Sequence, residues 1–132
     1  MKFSVINSIR TNNFADEQCV EKINSLWAEA SRQLVGQNTV LYGVYYDYES
    51  DYKGDYTLAV AVEGSEGEAL VELSEHANYE IFKVDEADEL SVVRAWQNIW
   101  EREQEGTLRR AYTWDFEKYS PNGNTEIYIA IL

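Results

Sequence analysis

Apolar residues recur in two stretches of the chain at the three-and-four spacing that forms a single stripe along a helix. The first stripe extends over residues 20–34 and the second over residues 92–100. Gly36 and Gly106 follow the two stripes, and glycine is a common helix terminator. The pattern therefore predicts two amphipathic helices, one in each half of the chain.

Segments rich in β-branched and aromatic residues predict strands around these helices. They occupy residues 2–9, 40–49, 56–62 and 79–84, and two more flank a turn at residues 120–124. The acidic segment 63–77 contains glycine and is predicted to link the two halves. Each half then has the same order of strand, helix and hairpin.

The two halves are also similar in their residues. The segment 46–49 (Tyr-Asp-Tyr-Glu) matches 114–117 (Trp-Asp-Phe-Glu), and 56–61 matches 127–132. Trp27 and Trp96 lie on the helices that precede the two hairpins. Because self-similarity at a fixed spacing indicates a duplicated structural unit, we predict two copies of one folding unit.

The length of the chain limits how these copies are arranged. It has 132 residues, of which 45% are hydrophobic, which suffices for one core but not for two independent domains. We therefore predict a single domain, residues 1–132, whose repeats at about 1–63 and 78–132 share a core. No run of about 18 apolar residues and no secretory signal pattern is present, so a soluble, cytoplasmic protein is expected.

Charge narrows the classes of partner. The net charge is −13 and the sequence pI is about 4.3, which argues against direct binding to nucleic acid or to anionic membranes. The same charge favours a cationic ligand or a basic partner protein. A solvated acidic surface that keeps the protein soluble explains it equally well.

Residue types that support common catalysis and metal binding are scarce. His76 is the only histidine and lies in the acidic linker, and the single cysteine, Cys19, is expected to be a small core residue. Four acids lie close together on the first hairpin, at positions 47, 49, 51 and 55, but they lack the spacing of a calcium loop. The sequence therefore predicts no catalytic histidine, no metal and no cofactor.

Aromatic residues next to acids are the remaining chemical signal. If Lys118 pairs with Glu126 across the last hairpin, Glu117 lies opposite Ile127 on an isoleucine-rich face. Burial there raises the pKa of a carboxyl group and makes a cationic partner valuable. Aromatic faces attract flat or quaternary cations, so rings around Glu117 predict a cation site; the alternative is that these rings only fill the core.

Several segments in order along the chain resemble one known family. They are residues 41–46 (LYGVYY), 79–82 (YEIF), 95–100 (AWQNIW), 115–119 (DFEKY) and 126–129 (EIYI). With them the chain resembles the gyrase-inhibitor-like small-molecule-binding domains, also called effector-binding domains of bacterial transcription activators. It is most similar to their stand-alone members, including those encoded on integron cassettes, because the chain has no room for a helix-turn-helix.

The resemblance implies a fold and a site. The fold is α+β, with two strand-helix-strand-strand modules related by a pseudo-twofold axis, two helices on one antiparallel sheet, and a ligand groove between the modules. In multidrug-responsive members a glutamate in an aromatic pocket binds lipophilic cations, and by motif position this role passes to Glu117. The implied pocket walls are Tyr45, Phe82, Trp96, Trp100 and Tyr128.

Three functions are compatible with this reading. The leading hypothesis is a stand-alone module that binds lipophilic, cationic small molecules for drug sensing or sequestration, with a transcription regulator as one candidate partner. The second is a hydrolase of strained cyclopropane-type electrophiles that uses Glu117 and a tyrosine. The third is a protein that binds and inhibits gyrase. Exposed strand edges also leave a homodimer open.

Overall fold

A computed structural model describes residues 2–33, 39–50, 53–63, 70–72, 78–84, 89–121 and 124–132. The elements in chain order are β1 (Lys2–Thr11), α1 (Cys19–Gln33), β2 (Leu41–Tyr46), β3 (Tyr56–Glu63), β4 (Leu70–Glu72), β5 (Asn78–Val84), α2 (Glu89–Glu105), β6 (Trp114–Tyr119) and β7 (Thr125–Ile131). The predicted α+β class with two modules and two helices on one antiparallel sheet is confirmed.

The strands form one antiparallel sheet in the order β4-β1-β3-β2-β6-β7-β5. The first module supplies β1, β3 and β2, and the second supplies β6, β7 and β5, so the two modules meet where β2 pairs with β6. Each helix packs on the sheet of its own module. Leu26 of α1 packs with Leu58 and Val60, and Ile99 of α2 packs with Ile127 and Ile129.

A half turn about the Val44–Phe116 pair of the β2–β6 ladder relates the two modules. It exchanges Tyr45 with Glu117. Tyr45 pairs with Leu58 of β3 and Glu117 pairs with Ile127 of β7, and both partners are fully buried. The sequence match of residues 46–49 with 114–117 is therefore wrong in its alignment. Residues 47–49 lie beyond the end of β2, whereas residues 114–117 lie within β6. The similar acidic residues in the two segments therefore suggested an incorrect alignment.

The sheet face away from the helices carries a second aromatic cluster. Phe3, Tyr42, Val44 and Phe116 are almost fully buried in it. Tyr128 stacks on Phe116 with ring centroids 4.5 Å apart. Alternate residues of a strand point to opposite faces, so these rings are separated from the helices by the sheet itself.

Local signals define the helix ends. The carboxylate of Asp16 accepts from the backbone N–H of Gln18 at 2.9 Å, just before α1 begins. After α2, Gly106 adopts φ +78°. Its backbone N–H donates to the carbonyl oxygen of Glu103, and that of Thr107 donates to the carbonyl oxygen of Arg102. This Schellman motif requires a left-handed residue, which confirms Gly106 as the terminator. Gly36 lies outside the described residues.

The linker prediction needs one correction. Residues 70–72 form the short strand β4, which pairs with the start of β1. The apolar run Ala69-Leu70-Val71 is too short to indicate a strand, and the strand that pairs with it lies at the other end of the module. His76 lies outside the described residues.

The register of the last hairpin is confirmed, with Lys118 opposite Glu126 and Glu117 opposite Ile127. The ladder ends at the Phe116–Tyr128 pair. Beyond this pair the carboxylate of Asp115 accepts from the backbone N–H of Ala130 at 2.8 Å. No helix among the described residues is long and apolar enough to cross a lipid bilayer.

Candidate functional site

A cavity of about 440 Å³ lies between the two helices, with the central strands as its floor. The helices contribute mostly apolar side chains, and the strands and loops contribute rings and polar groups. From α1 come Val20, Ile23, Asn24 and Trp27; from α2 come Val92, Val93, Trp96 and Trp100. The remaining lining residues are Asn13, Tyr45, Tyr48, Tyr56, Arg110, Glu117, Tyr119 and Thr125.

Glu117 is the carboxylate on this floor, and its residue is 3% exposed. The indole Nε1–H of Trp96 donates to Glu117 Oε2 at 2.7 Å, and the hydroxyl of Tyr119 donates to Oε1 at 3.0 Å. The hydroxyl of Tyr45 is a third hydrogen-bond partner. A buried carboxylate with several donors and few facing cations is a site that favours a positively charged ligand.

Burial raises the pKa of Glu117, and the hydrogen bonds from Trp96, Tyr119 and Tyr45 oppose that rise. Burial and the nearby charge of Glu117 also raise the pKa values of Tyr45 and Tyr119, so both hydroxyls stay protonated and remain donors. The carboxylate is therefore held by three neutral donors, and it takes part in none of the ion pairs formed among the described residues.

Gly43 makes room for this carboxylate. It lies opposite Glu117 in the β2–β6 ladder. A Cβ atom at position 43 would come within 2.9 Å of Glu117 Oε1 and 3.2 Å of Trp27 Cζ2. Both distances are too short for ordinary contact, so the absence of a side chain at this position shapes the cavity floor.

Rings from both modules interlock around the floor. Tyr45 of the first module lies 5.0 Å from Trp96 of the second, measured between ring centroids. Trp27 of the first module meets Tyr119 of the second edge-on at 5.2 Å. Aromatic walls of this kind bind flat apolar groups and present negative faces to a cation.

A buried polar network lies beside the cavity, between the end of α2 and the central strands. Arg110, whose side chain is 2% exposed, forms ion pairs with Asp115 at 2.7 Å and with Glu103 at 2.8 Å. The hydroxyl of Tyr48 also donates to Asp115, and that of Tyr112 donates to Glu103. The network ties the segment after α2 to the central strands and fixes the position of the Arg110 guanidinium beside the cavity.

Four of the six predicted site residues line the cavity: Glu117, Tyr45, Trp96 and Trp100. Phe82 and Tyr128 do not line it. Phe82 lies on the outer strand β5 and packs against the core cluster beneath α2. The Cζ atom of Arg102 lies 5.5 Å from the centroid of its ring. Tyr128 neighbours Ile127 and therefore faces the opposite side of the sheet.

The sequence interpretation missed several lining residues. Tyr119 is two residues from Glu117 on the same strand, and this period of two was the signal that could have identified it. Trp27 lies on the helix equivalent to that of Trp96, and it lines the cavity from α1. Arg110 had no sequence signal, since its partners are set by the path of the chain after α2.

In the described part of the chain, no three His, Cys, Asp or Glu side chains form a group able to hold a metal ion. Cys19 is buried beside the cavity end, and its thiol donates to Asn13 Oδ1 at 3.6 Å. That contact fits the predicted structural role.

Three solved structures share this fold. An integron cassette protein from the mobile metagenome of Vibrio cholerae is 27% identical, with a TM-score of 0.74 over 98% of this chain and 94% of its own. A protein solved bound to tetraphenylphosphonium is 18% identical, with a TM-score of 0.67 and coverage of 99% and 87%. A protein titled as a putative bacterial transcription regulation protein, from Staphylococcus aureus, is 18% identical, with a TM-score of 0.70 and coverage of 98% and 90%.

No protein of curated function matches the sequence. A family model described as the integron-associated effector binding protein matches residues 2–131, almost the whole chain. The chain therefore belongs to the family of integron-associated effector binding proteins.

Proposed function

We propose that this protein binds lipophilic aromatic cations in the cavity between α1 and α2, as a drug sensor or a sequestering protein. Glu117 is the counter-ion, and Tyr45, Trp96 and Trp100 are the ring walls. Its membership of an effector-binding family supports binding of a small molecule. A neighbour of the same fold bound to tetraphenylphosphonium supports the lipophilic cation as the ligand class.

The observation that carries the proposal is the environment of Glu117. Its carboxylate is 3% exposed, faces an aromatic cavity and receives hydrogen bonds only from neutral donors among its described partners. Desolvation of an ionised group is unfavourable unless a counter-charge or hydrogen bonds offset it. A lipophilic cation supplies the counter-charge and at the same time covers the apolar walls.

Titration with tetraphenylphosphonium, followed by tryptophan fluorescence and isothermal calorimetry, tests the proposal. We expect micromolar binding, which corresponds to roughly −8 kcal/mol. Glu117→Gln should weaken it roughly 10- to 100-fold, because a charged contact contributes about 1.5–3 kcal/mol.

Glu126→Gln is the matched control. It removes the same charge from the same hairpin, but Glu126 pairs with Lys118 and lies one residue from Ile127, on the other face of the sheet. Equal loss of affinity in both variants would show that overall charge, and not the buried carboxylate, attracts the cation. Absence of tetraphenylphosphonium binding to the unmodified protein would remove the proposal.

A hydrolase is the second candidate, because the raised pKa of Glu117 next to tyrosine hydroxyls suits a general base with neutral donors. In that mechanism Glu117 removes a proton from water, and the water oxygen bonds to a ring carbon as the strained ring bond breaks. The leaving group then takes the proton from Glu117, and a hydrogen bond from Tyr45 or Tyr119 stabilises it as it leaves. Turnover of a strained cyclopropane or epoxide that disappears in Glu117→Gln would favour the enzyme. A panel without turnover leaves binding as the function.

A further inference from the structure

The guanidinium of Arg110 already occupies aromatic faces at one end of the cavity. Its Cζ atom lies 4.4 Å from the ring centroid of Tyr112 and 5.7 Å from that of Trp96. These contacts are of the kind that a cationic ligand makes with aromatic rings. The ring faces at this end of the cavity are therefore already in contact with a protein cation.

Two of the three nitrogen atoms of the Arg110 guanidinium donate hydrogen bonds to described residues, and the third does not. Nη1 donates to Glu103, and Nη2 donates to Asp115 and, at 3.4 Å, to the hydroxyl of Tyr48. Nε is buried and has no hydrogen-bond partner among the described residues. A buried donor without an acceptor is unfavourable, and most such groups in folded proteins are satisfied.

Trp96 connects this end of the cavity with the carboxylate. Its Nε1–H donates to Glu117, while its ring lies beside the Arg110 guanidinium. The indole of Trp96 therefore contacts both the acid and the guanidinium. Asp115 and Glu103 together compensate the charge of Arg110, so the guanidinium end does not carry a bare positive charge that repels a cation.

We propose that the ligand is bipolar, with a cationic group toward Glu117 and a hydrogen-bond acceptor, such as a carbonyl oxygen, toward Nε of Arg110. This inference rests on the proposed function and adds the ligand class. Arg110 lines the cavity, so a ligand bound there lies next to this side chain. Cations with an acceptor at the correct distance are then selected over purely hydrocarbon cations.

Two matched probes test this proposal, pentyltriphenylphosphonium and its 4-oxopentyl counterpart, which differ by one ketone oxygen. Desolvation of the ketone disfavours its burial, so tighter binding of the ketone requires a donor in the cavity. We expect the ketone to bind roughly tenfold more tightly, the effect of one hydrogen bond from a charged donor. Arg110→Lys, which keeps a cation but lacks Nε, should bind both probes equally, and Arg109→Lys at an exposed neighbour should keep the preference.

The outcomes separate the two proposals. If the pentyl probe binds and the ketone binds no better, the bipolar ligand is overturned and cation binding stands. If neither probe binds, the proposed function fails and this inference fails with it. A ketone preference that persists in Arg110→Lys assigns the donor to another residue and overturns the role of Arg110. Should Arg110→Lys not fold, a lowered infrared carbonyl stretch of the bound ketone in the unmodified protein supports the proposal, and an unchanged stretch overturns it.

Discussion

The two halves of the cavity are built from equivalent elements and differ at one decisive position. The half turn that relates the modules exchanges Tyr45 of β2 with Glu117 of β6. Both lie on the cavity floor, and both contact Trp96 of α2. This tryptophan belongs to the other module for Tyr45 and to the same module for Glu117. At this position the first module therefore supplies a ring, whereas the second supplies a carboxylate.

A second difference strengthens the first. The same half turn exchanges Gly43 with Asp115, so the position that has no side chain in β2 carries a buried, paired carboxylate in β6. Gly43 gives space to Glu117, and Asp115 holds Arg110. The comparison teaches that a symmetric scaffold can make a polar, directional cavity by changing a few facing positions.

The largest expected effect follows from removing Asp115. Asp115→Ala leaves the buried Arg110 with only part of its compensating charge, and loss of one partner of a buried ion pair costs about 3–5 kcal/mol. Urea unfolding measures this loss in the free energy of unfolding. Glu101→Ala on the exposed face of α2 is the control and should change stability little; a similar loss in both would contradict the structural role of the pair.

The next effect comes from filling the space at Gly43. Gly43→Ala places a methyl group against Glu117 and Trp27, so we expect about 1–3 kcal/mol of destabilisation together with weaker cation binding. Gly106→Ala is a control with a backbone cost, since its φ is +78° but nothing lies near an added Cβ. Its affinity for tetraphenylphosphonium should remain that of the unmodified protein. Unchanged binding in Gly43→Ala would show that the floor adapts.

The two tryptophans provide a direct test of the asymmetry. Trp96→Phe removes the donor to Glu117, whereas Trp27→Phe removes ring area at an edge-on contact with Tyr119. We expect cation affinity to fall about tenfold for Trp96→Phe and by less than about threefold for Trp27→Phe. Calorimetry measures both values, and equal losses would indicate that the halves contribute alike.

The smallest expected effect is a pH dependence of stability that comes from Glu117, in the second module. Burial raises the pKa of Glu117 in the folded protein above its usual 4.5, so the folded protein holds this proton more tightly than the unfolded chain. The contribution of Glu117 to stability is then complete below about pH 4.5 and is lost as the pH rises through the folded-state pKa. Compared with Glu117→Gln, the unmodified protein should lose stability over that window. Its affinity for a permanent cation should rise there, and a difference that stays constant with pH would contradict the raised pKa.

The sequence predicted the fold well because its signals were local or repeated. Two helix stripes, a glycine after α2 and the Lys118–Glu126 pair each depend on near neighbours in the chain. The alignment of the repeats failed because matching acids near a strand end carried no information about pairing. The strand β4 was missed for a similar reason, since its partner is the distant start of β1.

The site residues were predictable where their orientation depends on the register of the β6–β7 hairpin. With Glu117 opposite Ile127, alternation already requires Tyr128 to face away, so its inclusion as a pocket wall conflicted with the predicted register. The same rule would have added Tyr119. Gly43 and Arg110 could not be found, because their roles depend on which strands meet and on where the segment after α2 returns.

The seam between β2 and β6 also bears on how such a cavity arises. Two separate copies of one module would present the same backbone edges and could close the same sheet as a homodimer. In that assembly every floor position would occur twice, so a change to an acid would introduce two negative charges that repel each other across the axis. Joining the copies in one gene allows one of the two positions to diverge alone.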